Sequence, residues 1–153
     1  GKSDIFIQPE ISRSMQELPL LHVQQQPKEQ KYSKSGLSPE TAKAYVDELL
    51  AVMQEDKPYR DSDLTLPQLA SRLGISAHNL SQALNSTLGQ NFFDFVNSYR
   101  VNEVIESFKD PKQQHLKILA LAFDAGFNSK TTFNSMFKKI TGKTPSEYRQ
   151  TLS

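Results

Sequence analysis

Leu116–Tyr148 reads LKILALAFDAGFNSKTTFNSMFKKITGKTPSEY, and this stretch decides the fold. Leu116, Ile118, Leu121, Ala122 and Ala125 fall near a helical period and form one apolar face. Gly126 follows, as a glycine does where a helix ends in a left-handed residue. Ser129 is placed to cap a second helix whose inner face is Phe133, Met136, Phe137 and Ile140. Lys130, Thr131, Asn134, Ser135 and Lys138 are left facing outward. Thr144-Pro145-Ser146-Glu147 has the form of an N-cap, a first-turn proline and a capping-box glutamate, so a third helix follows. Phe123, Phe127, Phe133, Phe137 and Tyr148 stand at buried spacing and are assigned to the core. A platform for stacking single-stranded bases would instead need exposed aromatics beside basic residues.

The same grammar occurs 52 residues earlier. Leu64, Leu66, Leu69, Ala70, Leu73, Gly74 and Ile75 match Leu116, Ile118, Leu121, Ala122, Ala125, Gly126 and Phe127. Past the turn the offset becomes 53, where Leu80, Leu84 and Gly89 match Phe133, Phe137 and Gly142. The second turn therefore has one more residue than the first. A repeated supersecondary unit is a stronger signal than either copy alone. Two short helices around a glycine turn, the second presenting small polar and basic side chains, suit insertion into a DNA groove.

The rest of the chain is arranged around these two copies. Residues 1–36, with Gln24, Gln25 and Gln26 in a row and scattered Pro9, Pro19 and Pro27, read as a flexible N-terminal segment or linker. Ser38-Pro39-Glu40 starts a helix with the stripe Ala42, Tyr45, Val46, Leu49, Leu50 and Met53, ending near Glu55. Its outer face is acidic and is not expected to meet DNA. Thr65 to Gln68 forms a capping box for the helix ending at Leu73, and Ser76 caps the next, Ala77–Leu88. Asn91 caps a long helix over 92–109, which Asp110-Pro111 ends. The expected domains are 1–36, then 37–110 for the first helix-turn-helix unit with its linker helix, then 111–153 for the second unit.

Composition excludes several classes of function. The 153 residues are 37% hydrophobic and 23% charged, an ordinary globular balance. There is no cysteine, so neither disulfide nor thiolate chemistry is available. No run approaches the roughly 18 apolar residues of a membrane span, and no signal peptide is read. The net charge of +1 hides an asymmetry. Residues 37–115 carry seven Lys/Arg against eleven Asp/Glu, whereas residues 116–153 carry six against two. The +4 segment is either a phosphate-facing surface or a solvated basic face, and charge alone does not choose. Gly142-Lys143-Thr144 looks like the end of a phosphate-binding loop, but that motif needs glycine where Phe137 stands. No nucleophile–base pairing or metal-ligand spacing stands out, so no enzyme, cofactor, metal or small-molecule site is expected.

LTLPQLASRLGISAHNLSQALNSTLGQNFFDFVNSYRV, followed by LKILALAFDAGFNSKTTFNSMFKKITGKTPSEYR, resembles the AraC-type transcriptional regulators from about Leu64 to Arg149. The resemblance implies an all-α fold, two homeodomain-like helix-turn-helix subdomains joined by a long linker helix. It implies sequence-specific binding of double-stranded DNA by recognition helices at about 77–88 and 130–140, placed in successive major-groove segments. Base-facing places carried over from the family are His78, Ser81 and Gln82, with Asn85 outward on the same helix, then Lys130, Thr131, Thr132 and Ser135, with Asn134 adjacent. Gln and Asn can bond adenine in bidentate fashion. Lys130 reaches guanine or phosphate. Many family members carry arginine where Ser135 stands, which weakens guanine readout there. Phosphate contacts are expected from Lys138 and Lys139, and from backbone amides near Thr65 and Lys117. Arg100, ending NSYR, is assigned to phosphate or to bridging the units.

The resemblance also implies RNA polymerase as a partner, and dimerisation through an N-terminal or membrane sensor region outside this chain. KYSKSGLSPE and KPYRDSDLT look like regulators whose DNA-binding part follows a membrane-embedded sensor, so a cytoplasmic location is expected, as the cytoplasmic part of an inner-membrane protein in that case. The rival reading is a helical protein-interaction module that keeps the fold without specific DNA binding. Steep loss of binding with salt would mark DNA.

Overall fold

The computed structural model describes residues 36–153, in which every regular element is helical. The flexible segment expected over 1–36 lies, apart from Gly36, outside the described residues. The helices are α1 (Pro39–Glu55), α2 (Leu66–Arg72), α3 (Ala77–Ala83), α4 (Phe92–Lys109), α5 (Ile118–Asp124), α6 (Lys130–Thr141) and α7 (Pro145–Thr151). Short 3-10 turns occupy Pro58–Arg60 and Pro111–Gln113.

The chain divides into two compact units. Among the described residues, the first holds 36–58 and Leu64–Phe92; the second holds Tyr59–Asp63 and Phe93–Ser153. This division falls elsewhere than the expected boundary at residue 110. Almost all of α4 belongs with the second unit, because Val101, Val104 and Phe108 are buried in that unit's core. The loop segment Tyr59–Asp63 joins them, held there by side chains of α4.

In the first unit, Ala42, Val46, Leu49 and Met53 of α1 are buried at helical spacing. They pack with α3, which also packs against α2. Leu69, Ala70, Leu80, Ala83, Leu84 and Leu88 complete this core. The caps of α1, α2 and α3 are the ones that the sequence implies. Ser38 accepts from the Thr41 amide at 3.1 Å, and Thr65 and Gln68 form a reciprocal capping box. Ser76 accepts from the Asn79 amide at 3.0 Å. Each such cap satisfies a donor that the helix start leaves open.

One difference lies within the helix expected over Ala77–Leu88. Regular α-geometry stops at Ala83, and Leu84–Leu88 forms a π-helical turn before Gly89. A widened turn of this kind rotates every later side chain out of α-helical register.

In the second unit, Phe108, Leu121, Ala122, Ala125, Phe127, Phe133, Met136 and Phe137 are buried together, with Tyr148 half-buried against them. Phe137 stands edge-on to both Phe133 and Tyr148, with ring centroids 5.8 and 5.6 Å apart. Such pairs add to the burial of each ring. Phe123 corrects its core assignment, being 49% exposed. It follows the buried Leu121 by two residues, about 200° around the helix, and so points away from the core.

The two glycine turns are built alike. Ile75 donates to the Ala70 carbonyl at 3.1 Å and Gly74 to that of Ser71 at 3.0 Å. Phe127 donates to Ala122 and Gly126 to Phe123, both at 3.0 Å, so the pattern repeats at an offset of 52. The extra residue of the second turn is Asn128, which stands between Phe127 and the capping Ser129.

Candidate nucleic-acid interface

Each unit presents a 12-residue segment between a serine cap and a glycine. These run from Ala77 to Leu88 after Ser76, and from Lys130 to Thr141 after Ser129. Buried positions define the inner face of each, and the outer face follows by geometry at about 100° per residue. In α6, Phe133, Met136 and Phe137 face inward. The outward line then runs through Thr131, Ser135 and Lys138, with Asn134 beside it, and all four are exposed. Thr132 is half-buried on the flank, and Lys130 is exposed at the first turn. The Ser135 hydroxyl donates back to the Thr132 carbonyl at 3.3 Å.

In α3, His78 is exposed while Ser81 and Gln82 are half-exposed, one helical turn from it. The nitrogens His78 Nε2 and Gln82 Nε2 lie 2.9 Å apart. Asn85 is exposed but stands in the π turn, outside the register of His78, Ser81 and Gln82. No lysine or arginine occurs between Ala77 and Leu88. The His78–Gln82 pairing was within reach of the sequence, since residues four apart on a helix are neighbours.

The expected phosphate positions divide. Lys117, Lys130 and Lys138 are exposed and form no ion pair among the described residues. Lys139 is turned to Asp94, its Nζ 3.5 Å from the carboxylate. At Thr65 the first-turn donors are mostly occupied. The Thr65 amide donates to Gln68 Oε1 at 3.0 Å, the Gln68 amide donates to Thr65 Oγ1 at 3.3 Å, and Pro67 has no N–H. This closes most of the amide clamp expected there. At Lys117 no side chain caps α5, so its first-turn amides keep their donor capacity.

Arg100 corrects its assignment to phosphate. It is buried, and its guanidinium donates from Nε to the Tyr59 carbonyl (2.7 Å), from NH1 to Asn97 Oδ1 (2.8 Å) and from NH2 to the Asp61 carbonyl (2.9 Å). It also lies over the Phe127 ring, 6.0 Å from the centroid. Burial pulls its pKa below the ordinary arginine value. Beside it, Arg60 pairs with Glu103 at 2.9 Å, and the Tyr59 hydroxyl donates to Glu103 at 2.7 Å. Burial first, and then Glu103, push the Tyr59 phenol well above its ordinary range, so it stays a donor. Arg149 acts similarly on its own loop. It donates to the carbonyls of Leu116 and Gln114, each at 2.8 Å, above the Phe108 ring. The sequence marks neither arginine as a binder of carbonyls, because their partners lie 33 to 41 residues away.

Two polar-faced helices behind matching glycine turns define a class, and comparison with known proteins agrees. The family model described as "Helix-turn-helix domain" matches residues 69–151, more than half of the chain, and the chain belongs to that family. It is of the AraC type, a DNA-binding domain of transcription regulators. An uncharacterized HTH-type transcriptional regulator of Staphylococcus aureus (strain COL) is 32% identical over 87 residues, which are 57% of this chain and 11% of that protein. The chain thus spans about a tenth of the length of such curated relatives. The C-terminal domain of AraT, a response regulator from Geobacillus stearothermophilus, superposes with a TM-score of 0.60 at 29% identity. That match covers 76% of this chain and 88% of the other. A transcriptional regulator from Chromobacterium violaceum, described as having an AraC-type DNA-binding domain, shares the fold with a TM-score of 0.61 at 18% identity. It covers 74% of this chain and 96% of its own.

Proposed function

We propose that this domain reads an asymmetric site on double-stranded DNA with both recognition helices, each lying in a major-groove segment of the same duplex. The observation that carries this reading is the pair of serine-capped, 12-residue segments behind like turns, with polar outer edges and apolar inner ones. His78, Ser81 and Gln82 are the reading positions of the first helix. Lys130, Thr131, Asn134 and Ser135 are those of the second, with Asn85 and Thr132 at their margins. Lys117 and Lys138 hold phosphate, and Lys139 joins them once it leaves Asp94. Gln82 suits adenine and Lys130 suits guanine or phosphate.

The domain works as the DNA-reading part of a longer regulator. Relatives of which the matched segment is only 11% support this. RNA polymerase as partner, and dimerisation through a sensor region outside this chain, belong to the same reading and rest on the family resemblance. None of the described helices is long and apolar enough to cross a membrane.

The test is selection of bound duplexes from a random library at moderate salt, followed by sequencing. Two enriched blocks about one duplex turn apart, roughly 34 Å, are expected. A single block would limit base reading to one unit. Binding that resists salt and enriches no sequence would favour the protein-interaction reading instead.

A further inference from the structure

Each lysine and arginine among the described residues of the first unit already has a partner. Lys43 pairs with Asp47 at 2.9 Å and Arg72 with Asp56 at 3.3 Å, while Lys57 Nζ donates to the Gln54 carbonyl at 3.3 Å. Acids outnumber them: residues 36–58 and 64–92 hold three Lys/Arg against five Asp/Glu. The capping box at Thr65 uses amides that would otherwise face a phosphate. The second unit is built the other way, with ten Lys/Arg against eight Asp/Glu. There Lys117, Lys130, Lys138 and Lys143 are exposed and form no ion pair among the described residues.

We propose that the two units supply different parts of DNA binding: the second holds the phosphates and sets the salt-dependent affinity, and the first adds a salt-insensitive increment where the base pairs match. The inference rests on the proposed reading that both units meet one duplex. A free lysine that neutralises a phosphate releases a counterion from DNA, which steepens the salt dependence by about 0.9 per contact. An arginine that leaves a carboxylate for a phosphate releases one counterion and exposes an anion that recruits another. The exchange of Arg72 from Asp56 to DNA therefore gains little, and the surplus acids oppose the approach of phosphate. The first unit is left with directional hydrogen bonds from uncharged groups, which are satisfied only by a matching base edge. The second unit thus docks on any duplex, and the first engages only at a matched site.

The experiment measures affinity of the full chain across a series of salt concentrations. One variant, Lys43→Gln/Asp47→Asn/Arg72→Gln/Asp56→Asn, removes both ion pairs of the first unit and keeps its net charge. Lys117→Gln, Lys138→Gln and Lys143→Gln each remove one free cation of the second. Circular dichroism verifies folding, and the two pair variants are measured separately if the fourfold variant is unfolded. The slope of log affinity against log salt should be unchanged in the pair variants and shallower by about 0.9 in each lysine variant. Two shorter duplexes, each with one of the two selected blocks, complete the test. One should keep most of the slope and respond to Lys138→Gln, and the other should bind at least about 10-fold more weakly at moderate salt. A pair variant whose slope is shallower by 0.9 or more, or two half-site duplexes with equal slopes, would overturn the proposal. Failure of the two-helix reading is separate and shows as selection of fewer than two blocks. The slopes of the variants can be compared on any duplex, so where the phosphates are held is decided in either case.

Discussion

Arg100 Nε donates to the main-chain carbonyl of Tyr59 at 2.7 Å, across 41 residues of sequence. With the bond to the Asp61 carbonyl, it ties the loop before the first glycine turn to the long helix α4. A guanidinium can satisfy two carbonyls and an amide oxygen at once because its donors form a rigid fork. Its position makes Arg100 part of the second unit's framework and removes it from the solvent-facing cations.

Arg100→Met is therefore expected to destabilise the second unit by at least about 1.5–3 kcal/mol, the usual worth of a hydrogen bond to a charged group. Thermal melts would show the loss. At a temperature where the variant is folded, the slope of log affinity against log salt should equal that of wild type. A slope reduced by about 0.9, as for one lost phosphate contact, would return Arg100 to the interface.

Gly126 and Gly74 occupy matching turns but should respond differently to alanine. Both have positive φ, +117° and +71°, so both variants are strained by about 1–2 kcal/mol. A methyl at Gly74 meets nothing within 4 Å. At Gly126 it would overlap the Tyr59 carbonyl and stand 2.7 Å from Arg100 Nε, displacing the docked loop. Gly126→Ala should melt well below Gly74→Ala, and equal melting temperatures would show that the loop gives way at little cost.

The exposed lysines should separate by salt dependence. Lys130→Ala and Lys138→Ala are each expected to lower the magnitude of the salt slope by about 0.9. Lys139→Ala should do less, because Asp94 already holds its ammonium group. Binding isotherms at several salt concentrations decide this, and unchanged slopes for Lys130→Ala and Lys138→Ala would remove both from the phosphate contacts. Their helicity should match the wild type throughout.

Phe137 and Phe123 lie on opposite sides of the second unit's inside/outside division. Phe137 is fully buried, so Phe137→Ala should cost about 3–5 kcal/mol and unfold its unit first. Phe123→Ser should leave stability within about 0.5 kcal/mol, as at other exposed sites. Denaturant titrations with both variants verify the assignment, and a large loss in Phe123→Ser would mean that its exposed ring is packed in solution.

Acid should act on the last helix through Glu147. The Thr144 amide donates to its carboxylate at 2.9 Å, and with the Thr144 hydroxyl this lowers its pKa below the ordinary value, with smaller help from Lys138 and Lys143. A depressed carboxyl contributes stability that is present above its unfolded pKa and lost as pH falls through its folded pKa. The melting temperature of wild type should exceed that of Glu147→Gln at neutral pH. The gap should close as pH drops through the carboxylate range, and a gap independent of pH would show that the charge is not what stabilises this cap.

Much of this protein was legible in the residues themselves. The caps at Ser38, Thr65, Ser76, Ser129 and Thr144, the glycines of both turns and the inner faces of α3 and α6 act over a few residues, so short-range rules reach them. The repeat at 52 and 53 residues then specifies two helix-turn-helix units, and the +4 charge of residues 116–153 marks the more basic one. What the tertiary structure alone decided depends on residues distant in sequence or on a local balance of packing. Arg100 and Arg149 turn inward because they donate to loop carbonyls that are distant in sequence. Tyr59–Asp63 leaves the unit of its sequence neighbours because α4 holds it. Phe123 faces out because Leu121 and Ala122 fill the only apolar side available to a seven-residue helix. The π turn that takes Asn85 out of register widens a helix whose sequence reads as regular to its end, and no residue between Ala77 and Leu88 announces it.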